Sequence, residues 1–518
     1  MADRYVLNDK VFMVEIGQGA ITSIRNASDE RQTEYVLPGE LFGELLLTYR
    51  PAEKELIQWA CNRSDVFSES EPGKEGKELS YTWETEDEAG ILSVSSNIRL
   101  CGGKLQQIYR IKNRSGKNVE ILDALYALNP NSTFEWGDKA SEKVIGHTFI
   151  GGHGSHYIAC RCDGKGKHLI VIPYSPDNME KDAHKGKWEL FDQGADIKNF
   201  PIAKEKRNSI YVYEYSANET KEAIKHGYKP RIEASSLTLD PGKETILGLT
   251  YIWAESFEDA RKKLANEGIP DVITVPGYTV TCSSSVKMCV SCSDINKIEI
   301  RPEYPEKTKL RLLSESNESR VYEIIFEKTG ESSVDVIYGD GCFLRTEFFI
   351  TEEIKTLINK RGAFISSHQI KDDELWYTGL FAEWNNTTGA LLSPDNYDTI
   401  KGWRIYEVTC DDPGLSKPAF LSSKLAEYPV QEQVSALDYY IEHFVWGGLQ
   451  CTEDEDYPYG IYGIPDWKKN RESEDHGNRG REHLWRIYDY PHIALMYYNM
   501  YKVACVYEDI DTALSARE

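Results

Sequence analysis

Between Tyr457 and His492 the chain gathers, in one stretch, flat aromatic rings and the side chains that most often move protons or bind hydroxyls. Tyr459, Tyr462, Trp467, Trp485, Tyr488 and Tyr490 supply rings. Asp466, Arg481, Glu482, His483, Arg486, Asp489 and His492 supply charge and acid–base capacity. A sugar presents apolar C–H faces that stack on Tyr and Trp, and hydroxyls that need charged or amide partners, so this composition fits a carbohydrate site. The bland alternative is an aromatic-rich helix junction whose charges pair with one another. The site reading takes Glu482, His483, Arg486, Asp489, Tyr490 and His492 as catalytic. It takes Tyr459, Tyr462, Asp466, Trp467, Arg481, Trp485, Tyr488, Asp411 and Asp412 as substrate contacts.

Two chemistries suit these residues. Glycoside hydrolysis needs two carboxylates flanking the bond, and Asp466, Glu482 and Asp489 are candidates. A uronate lyase needs a cation to neutralise the sugar carboxylate, a base and a proton donor. Arg481 or Arg486 would neutralise, and His483, His492, Tyr488 or Tyr490 would move protons. Hydrolysis stands first, with the lyase and a non-catalytic carbohydrate-binding fragment as alternatives.

The elements that must hold this stretch are helical. Val430, Val434, Leu437, Ile441 and Phe444 recur at helical spacing and Gly447-Gly448 ends the run. A second helix starts near Asp489 to Pro491 and continues through Ile493, Met500, Ala504 and Tyr507. About forty residues join the two, where two to eight is usual, and such long connections are generally functional. Upstream, Cys410-Asp411-Asp412-Pro413-Gly414 through Lys417 reads as a turn that reaches the site, and Trp376, Glu383 and Trp384 form a further aromatic and acidic group.

Before these helices the pattern is β. Phe12, Val14 and Ile16 alternate with Val11, Met13 and Glu15, and short runs such as Gln106 to Ile111 and Ile246 to Trp253 repeat the theme between turn residues. Phe257 to Asn266 and Thr351 to Ile365 are predicted helices. The fold expected is mainly β with α: antiparallel β-sandwich or supersandwich domains followed by the start of an (α/α) helical toroid. The expected boundaries are 1–268, 269–428 and 429–518.

Bulk properties narrow the partners. A net charge of −24 argues against nucleic acid and against an anionic membrane surface. No apolar run approaches the ~18 residues of a membrane-spanning helix. No signal peptide is visible at the N-terminus, which points to a cytoplasmic protein with free thiols. The lone Cys289/Cys292 pair lacks the further ligands of a structural zinc site, so no metal or cofactor is expected. The expected partner is an oligosaccharide or polysaccharide.

The passage VEIGQGAITSIRNASDE resembles the first strands of galactose-mutarotase-like β-supersandwich domains. The order of sandwich, linker and helices resembles the six-hairpin (α/α) glycosidases and the related toroid lyases. DDPGLSKPAFL, TEDEDYPYGIYGIPDW and GREHLWRIYDYPHIALMYYNMYKVA are similar to a little-characterised family of glycan-degrading gut bacteria. That resemblance implies a carbohydrate-active enzyme. It also implies that this chain carries only the first hairpin of its toroid, which would continue past Glu518.

Overall fold

The computed structural model describes residues 5–63, 67–69, 78–85, 91–176, 185–193, 209–292, 295–403, 405–462, 484 and 487–517. The chain divides into two compact units, Met1–Thr351 and Glu352–Glu518. The cut falls where strand gives way to helix, after Thr351.

The first unit is built on period-2 burial. Leu92–Cys101 alternates buried and half-buried residues along nearly its whole length, and Phe12, Val14 and Ile16 are fully buried, as alternation requires. An eight-stranded antiparallel sheet runs in the order Val144–Phe149, His156–Arg161, His168–Pro173, Glu244–Ala254, Lys104–Asn113, Leu92–Cys101, Glu78–Glu84, Phe67–Glu69. A six-stranded sheet centres on Val119–Leu128, flanked by Ile210–Ser216 and Glu44–Pro51. One core joins the two sheets, with Tyr109, Ile111 and Tyr251 from the first and Leu47, Ile121 and Tyr126 from the second.

That core contains a polar seam in which Tyr251 donates to Gln107 (2.7 Å), Gln107 to Tyr109 (2.8 Å), and Tyr109 to the Gly43 carbonyl (2.8 Å). A side chain at Gly43 would sit 2.2 Å from the Gln107 oxygen, and φ there is +75°, so only glycine fits.

Helix Phe257–Asn266 forms over the predicted residues, capped by Ser256, which accepts from Asp259. Its Ala260 and Leu264 pack with Ile158, Ile170 and Ile252 of the eight-stranded sheet. The same cluster continues into a second sandwich through Val286, Met288, Ile324, Val336 and Phe348. Two four-stranded sheets make that sandwich, one centred on Ser285–Ser291 and Ser319–Phe326, the other on Gly330–Tyr338 and Cys342–Thr351. The chain is therefore mainly β with antiparallel sheets and fewer helices, as its patterning predicts.

The second unit holds helices Ile354–Ser367, Ile405–Thr409, Asp412–Leu425, Gln431–Tyr440 and Tyr490–Val506. Leu415, Leu421, Leu425, Val434, Leu437, Phe444, Ile493, Met496 and Val503 form its core. The segment expected to be a turn, Asp411 to Lys417, is helical from Asp412. Pro413 sits in the first turn, where its missing N–H costs nothing. Gly414 is needed because a side chain there would lie 3.0–3.2 Å from the Thr409 backbone. Residues that read locally as a turn are thus packing devices of a helix start. Helix Ile354–Ser367 forms near its predicted position, but Ile354 and Leu357 are exposed and its buried contacts come from Gly362 and Ile365. Among the described residues no helix is long and apolar enough to cross a membrane.

Two predictions test this packing. Lys417, expected on a loop, is buried and ion-paired with Glu383, and burial holds its pKa below the usual lysine value against the pull of Glu383. Glu383→Gln removes the charge that Glu383 sets against this buried ammonium and is expected to cost about 3 kcal/mol in urea unfolding; a loss under about 1 kcal/mol would contradict the burial.

The second concerns Asp123, which caps helix Ala217–Lys225 by accepting from Asn218 N (2.9 Å) and Glu219 N (3.0 Å). Burial first, then repulsion from Asp123 and Asp192, pushes the Glu219 carboxyl up to about 7. The folded state therefore keeps a proton that the unfolded state loses near pH 4.5. Stability from this group is full below that pH and declines as pH rises through about 7. Glu219→Gln should raise unfolding free energy at pH 8 by about 1–2 kcal/mol more than at pH 4, a figure discounted for the partial exposure of the group. An equal shift at both pH values would show that the carboxyl is not perturbed.

Candidate functional site

Helix Gln431–Tyr440 does not end in an ordinary cap. It widens into a π-turn over Ile441–Val445, and the N–H groups of Trp446, Leu449 and Gln450 each reach back five residues, to Ile441 (2.8 Å), Phe444 (3.0 Å) and Val445 (2.8 Å). Single π-turns of this sort recur at functional sites because they re-aim the side chains that follow. Here Trp446 follows at once and is 38% exposed. Gly447, at φ +71°, turns the chain.

The chain then doubles back on itself. Cys451 N donates to Gly460 O (2.8 Å), Tyr459 N to Cys451 O (3.1 Å), and Tyr462 N to Leu449 O (3.0 Å). This narrow loop presents Tyr457 and Tyr459, both exposed. Tyr459 sits at φ +63°, a left-handed conformation that costs a non-glycine residue on the order of 1–3 kcal/mol and that gathers at binding sites. Its ring lies 6.0 Å from that of Trp446, tilted by 38°. Together they form an aromatic wall.

Helix Tyr490–Val506 holds the wall from behind. The Tyr490 hydroxyl accepts from Ile461 N (3.1 Å) and donates to Leu484 O. The Tyr497 hydroxyl donates to the side-chain oxygen of Gln450 (2.8 Å), whose amide reaches Tyr459 O at 3.4 Å. Gln450 is nine-tenths buried, so its amide is committed to positioning. Burial raises the Tyr497 pKa above its ordinary value, which keeps the hydroxyl a neutral donor. The residues of this frame line two adjoining cavities. One, of about 520 Å³, is lined by Tyr457, Tyr459, Ile461, Tyr490 and Ala494. The other, of about 910 Å³, is lined by Trp446, Tyr459, Tyr498 and Tyr501, and by the charged Glu442, Glu453 and Arg517. Volumes of this size accommodate an oligosaccharide segment.

Of the residues expected at the site, Tyr459 and Tyr490 come together on the smaller cavity. Tyr490 acts there by fixing the loop through its hydroxyl. Tyr462 is buried in the core. Tyr488 is half exposed, and its carbonyl lies 3.1 Å from His492 Nδ1. Asp489 is fully buried and not without a partner, and its carboxylate makes no capping bond to the helix it precedes. Asp411 stands before helix Asp412–Leu425, its carbonyl accepting from Leu415 N at 2.9 Å; Asp412 opens that helix. Asp466, Trp467, Arg481, Glu482, His483, Trp485 and Arg486 lie outside the described residues.

Three contributors were not singled out from the sequence. Trp446 and Gln450 depend on a π-turn that no residue pattern announces. Tyr497 reads as part of the apolar face of its helix, and its hydroxyl's reach to Gln450 is a tertiary fact. The described arrangement is an aromatic, braced wall, with carboxylates among the residues that line its cavities.

A structure of a polysaccharide lyase superposes over 97% of this chain and 66% of its own, with a TM-score of 0.67 at 16% sequence identity. The two share a fold, and this chain spans about two-thirds of that protein's length. A galactose mutarotase-like protein from Lactobacillus casei ATCC 334 overlaps 48% of this chain and 100% of its own at 10% identity, with a TM-score of 0.30. A bacterial glucoamylase complexed with acarbose overlaps 52% and 36% at 10% identity, with a TM-score of 0.28. Overlaps that low carry no argument. No curated protein matches the chain. A family model matches residues 40–517, and the chain belongs to that family, DUF5695, a family of unknown function.

Proposed function

We propose that this protein is a polysaccharide lyase that lays a uronate-containing glycan along the wall of Trp446, Tyr457 and Tyr459. The observation that carries the reading is the fold shared with a polysaccharide lyase over 97% of the chain. The local chemistry agrees with it. Rings at the wall supply stacking surface, and the following stretch brings Arg481, His483 and Arg486 into the sequence beside Tyr488 and His492.

In β-elimination a base removes the proton at C5 of the uronate, the C4–O bond to the leaving sugar breaks, and a C4–C5 double bond forms. The departing oxygen takes a proton from an acid. Arg481 or Arg486 pairs with the sugar carboxylate, which lowers the barrier to losing the neighbouring proton. His483 or His492 is the base, and Tyr488 is the donor. The first-turn N–H groups of helix Tyr490–Val506 add positive potential for the same carboxylate. Hydrolysis, the first reading from the sequence, requires a pair of carboxylates facing the bond. Asp489, one of its three candidates, is fully buried, which takes it out of such a pair.

Digestion of a panel of uronate-containing polysaccharides should yield products with the ultraviolet absorbance of a conjugated unsaturated uronate. Saturated reducing products would instead establish a hydrolase, and binding without turnover a carbohydrate-binding protein. Arg486→Ala and His483→Ala should each lower kcat by roughly a hundredfold or more with the melting temperature nearly unchanged; unfolding of either variant would assign that residue to structure. Gln450→Ala frees the Tyr459 peptide and should weaken oligosaccharide binding by about tenfold, the equivalent of one lost buried hydrogen bond, with a smaller effect on kcat. Unchanged KM in that variant would remove the wall from the site.

A further inference from the structure

Far along the sequence from this wall, the first unit presents a second aromatic feature that the proposed reaction does not use. Trp136 is fully exposed (105% relative to an extended chain) and Phe134 is 52% exposed. They stand on the connection between Val119–Leu128 and Val144–Phe149. An indole left wholly in water forgoes the free energy of burial, and here it is held there by a fixed backbone.

Here the backbone is fixed by several bonds. Asp138 N donates to Glu135 O (3.1 Å), closing a turn with Trp136 and Gly137 at its centre. Gly137 has φ +98°, the conformation that a type II turn demands at its third position. The Asp138 carboxylate accepts from Glu135 N (2.9 Å) and pairs with Lys143 (3.0 Å). At the base of the connection, the Asn131 amide donates to the carbonyls of Glu34 (3.2 Å) and Glu142 (3.1 Å). Val144 N closes the connection onto Asn131 O at 3.0 Å. The turn is thus built to hold an indole outward.

We infer that Trp136, with Phe134, is a second glycan-binding platform, which stacks one pyranose ring of a polysaccharide chain. Size and surroundings select this occupant. Two aromatic side chains bury about 150–250 Å² each, well under the roughly 800 Å² per partner of a stable protein interface. The neighbours Glu135, Asp138, Lys139 and Glu142 are polar and mostly exposed, whereas the centre of a protein interface is depleted of such groups. A sugar ring matches both features, an apolar face for the indole and peripheral hydroxyls for carboxylates and ammonium.

Native gel electrophoresis of the whole protein through gels containing hyaluronan, alginate, soluble starch or glucomannan tests this. At least one polymer should retard the protein. Trp136→Ala should weaken that retardation by at least about tenfold, and Trp136→Phe should keep part of it, with melting temperature and turnover of short oligosaccharides unchanged. The anionic and neutral gels tell which class of glycan is held. Equal retardation of Trp136→Ala, retardation by none of the polymers, or a lowered melting temperature, which would mean the indole is packed against protein, each overturns the inference. The readout is independent of elimination chemistry: a protein that produces no unsaturated sugar but is retarded through Trp136 sustains the platform and removes only the lyase reading.

Discussion

The packing of helix Tyr490–Val506 onto Asp412–Leu425 is the contact on which the candidate site depends. Ile493, Met496 and Val503 are buried on that helix, and Asn499 reaches the hydroxyl of Ser423 at 3.0 Å. Once the helix is seated, its two outward hydroxyls have fixed positions. Tyr490 catches the Ile461 peptide and Tyr497 catches Gln450. Those bonds help to offset the strain of Tyr459 at φ +63°, so the wall of Trp446 and Tyr459 is set before any ligand arrives. Preorganisation of this sort saves the entropy that a mobile aromatic loop would lose on binding.

Acidic groups divide into those buried to hold the fold and those left exposed along the cavities, and residue type does not separate them. Glu189 carries the same carboxylate as the acidic residues of the candidate site. Yet its carboxylate is fully occupied by Lys187 at 2.8 Å, Ser216 at 2.9 Å and the Ser235 backbone at 2.9 Å. Glu214, buried in the same sheet, accepts from Tyr126 at 2.8 Å. In the second unit Glu383 neutralises Lys417. These groups are satisfied and structural, as buried polar atoms generally are. By contrast Glu442, Glu453 and Asp456 are exposed and line the cavities.

Much of the fold was legible because burial enforces period. Alternation located Phe12–Gly17 and Glu244–Ala254, and helical spacing located Phe257–Asn266 and Gln431–Tyr440. Legibility failed where local preference and tertiary need part. Pro413 and Gly414 look like a turn, but one suits a helix start and the other lets the helix approach Thr409. Of the site, the aromatic loop at Tyr457 and Tyr459 was readable from composition. Its brace was not, since Gln450 and Tyr497 acquire their roles only through contacts made across many residues of sequence.

The most direct test of the account is a crystal structure of the protein with a uronate oligosaccharide bound. The account predicts a sugar ring in van der Waals contact with Trp446 and Tyr459, its carboxylate within hydrogen-bond distance of Arg481 or Arg486. An oligosaccharide seated elsewhere, with the wall of Trp446 and Tyr459 unoccupied, would contradict it.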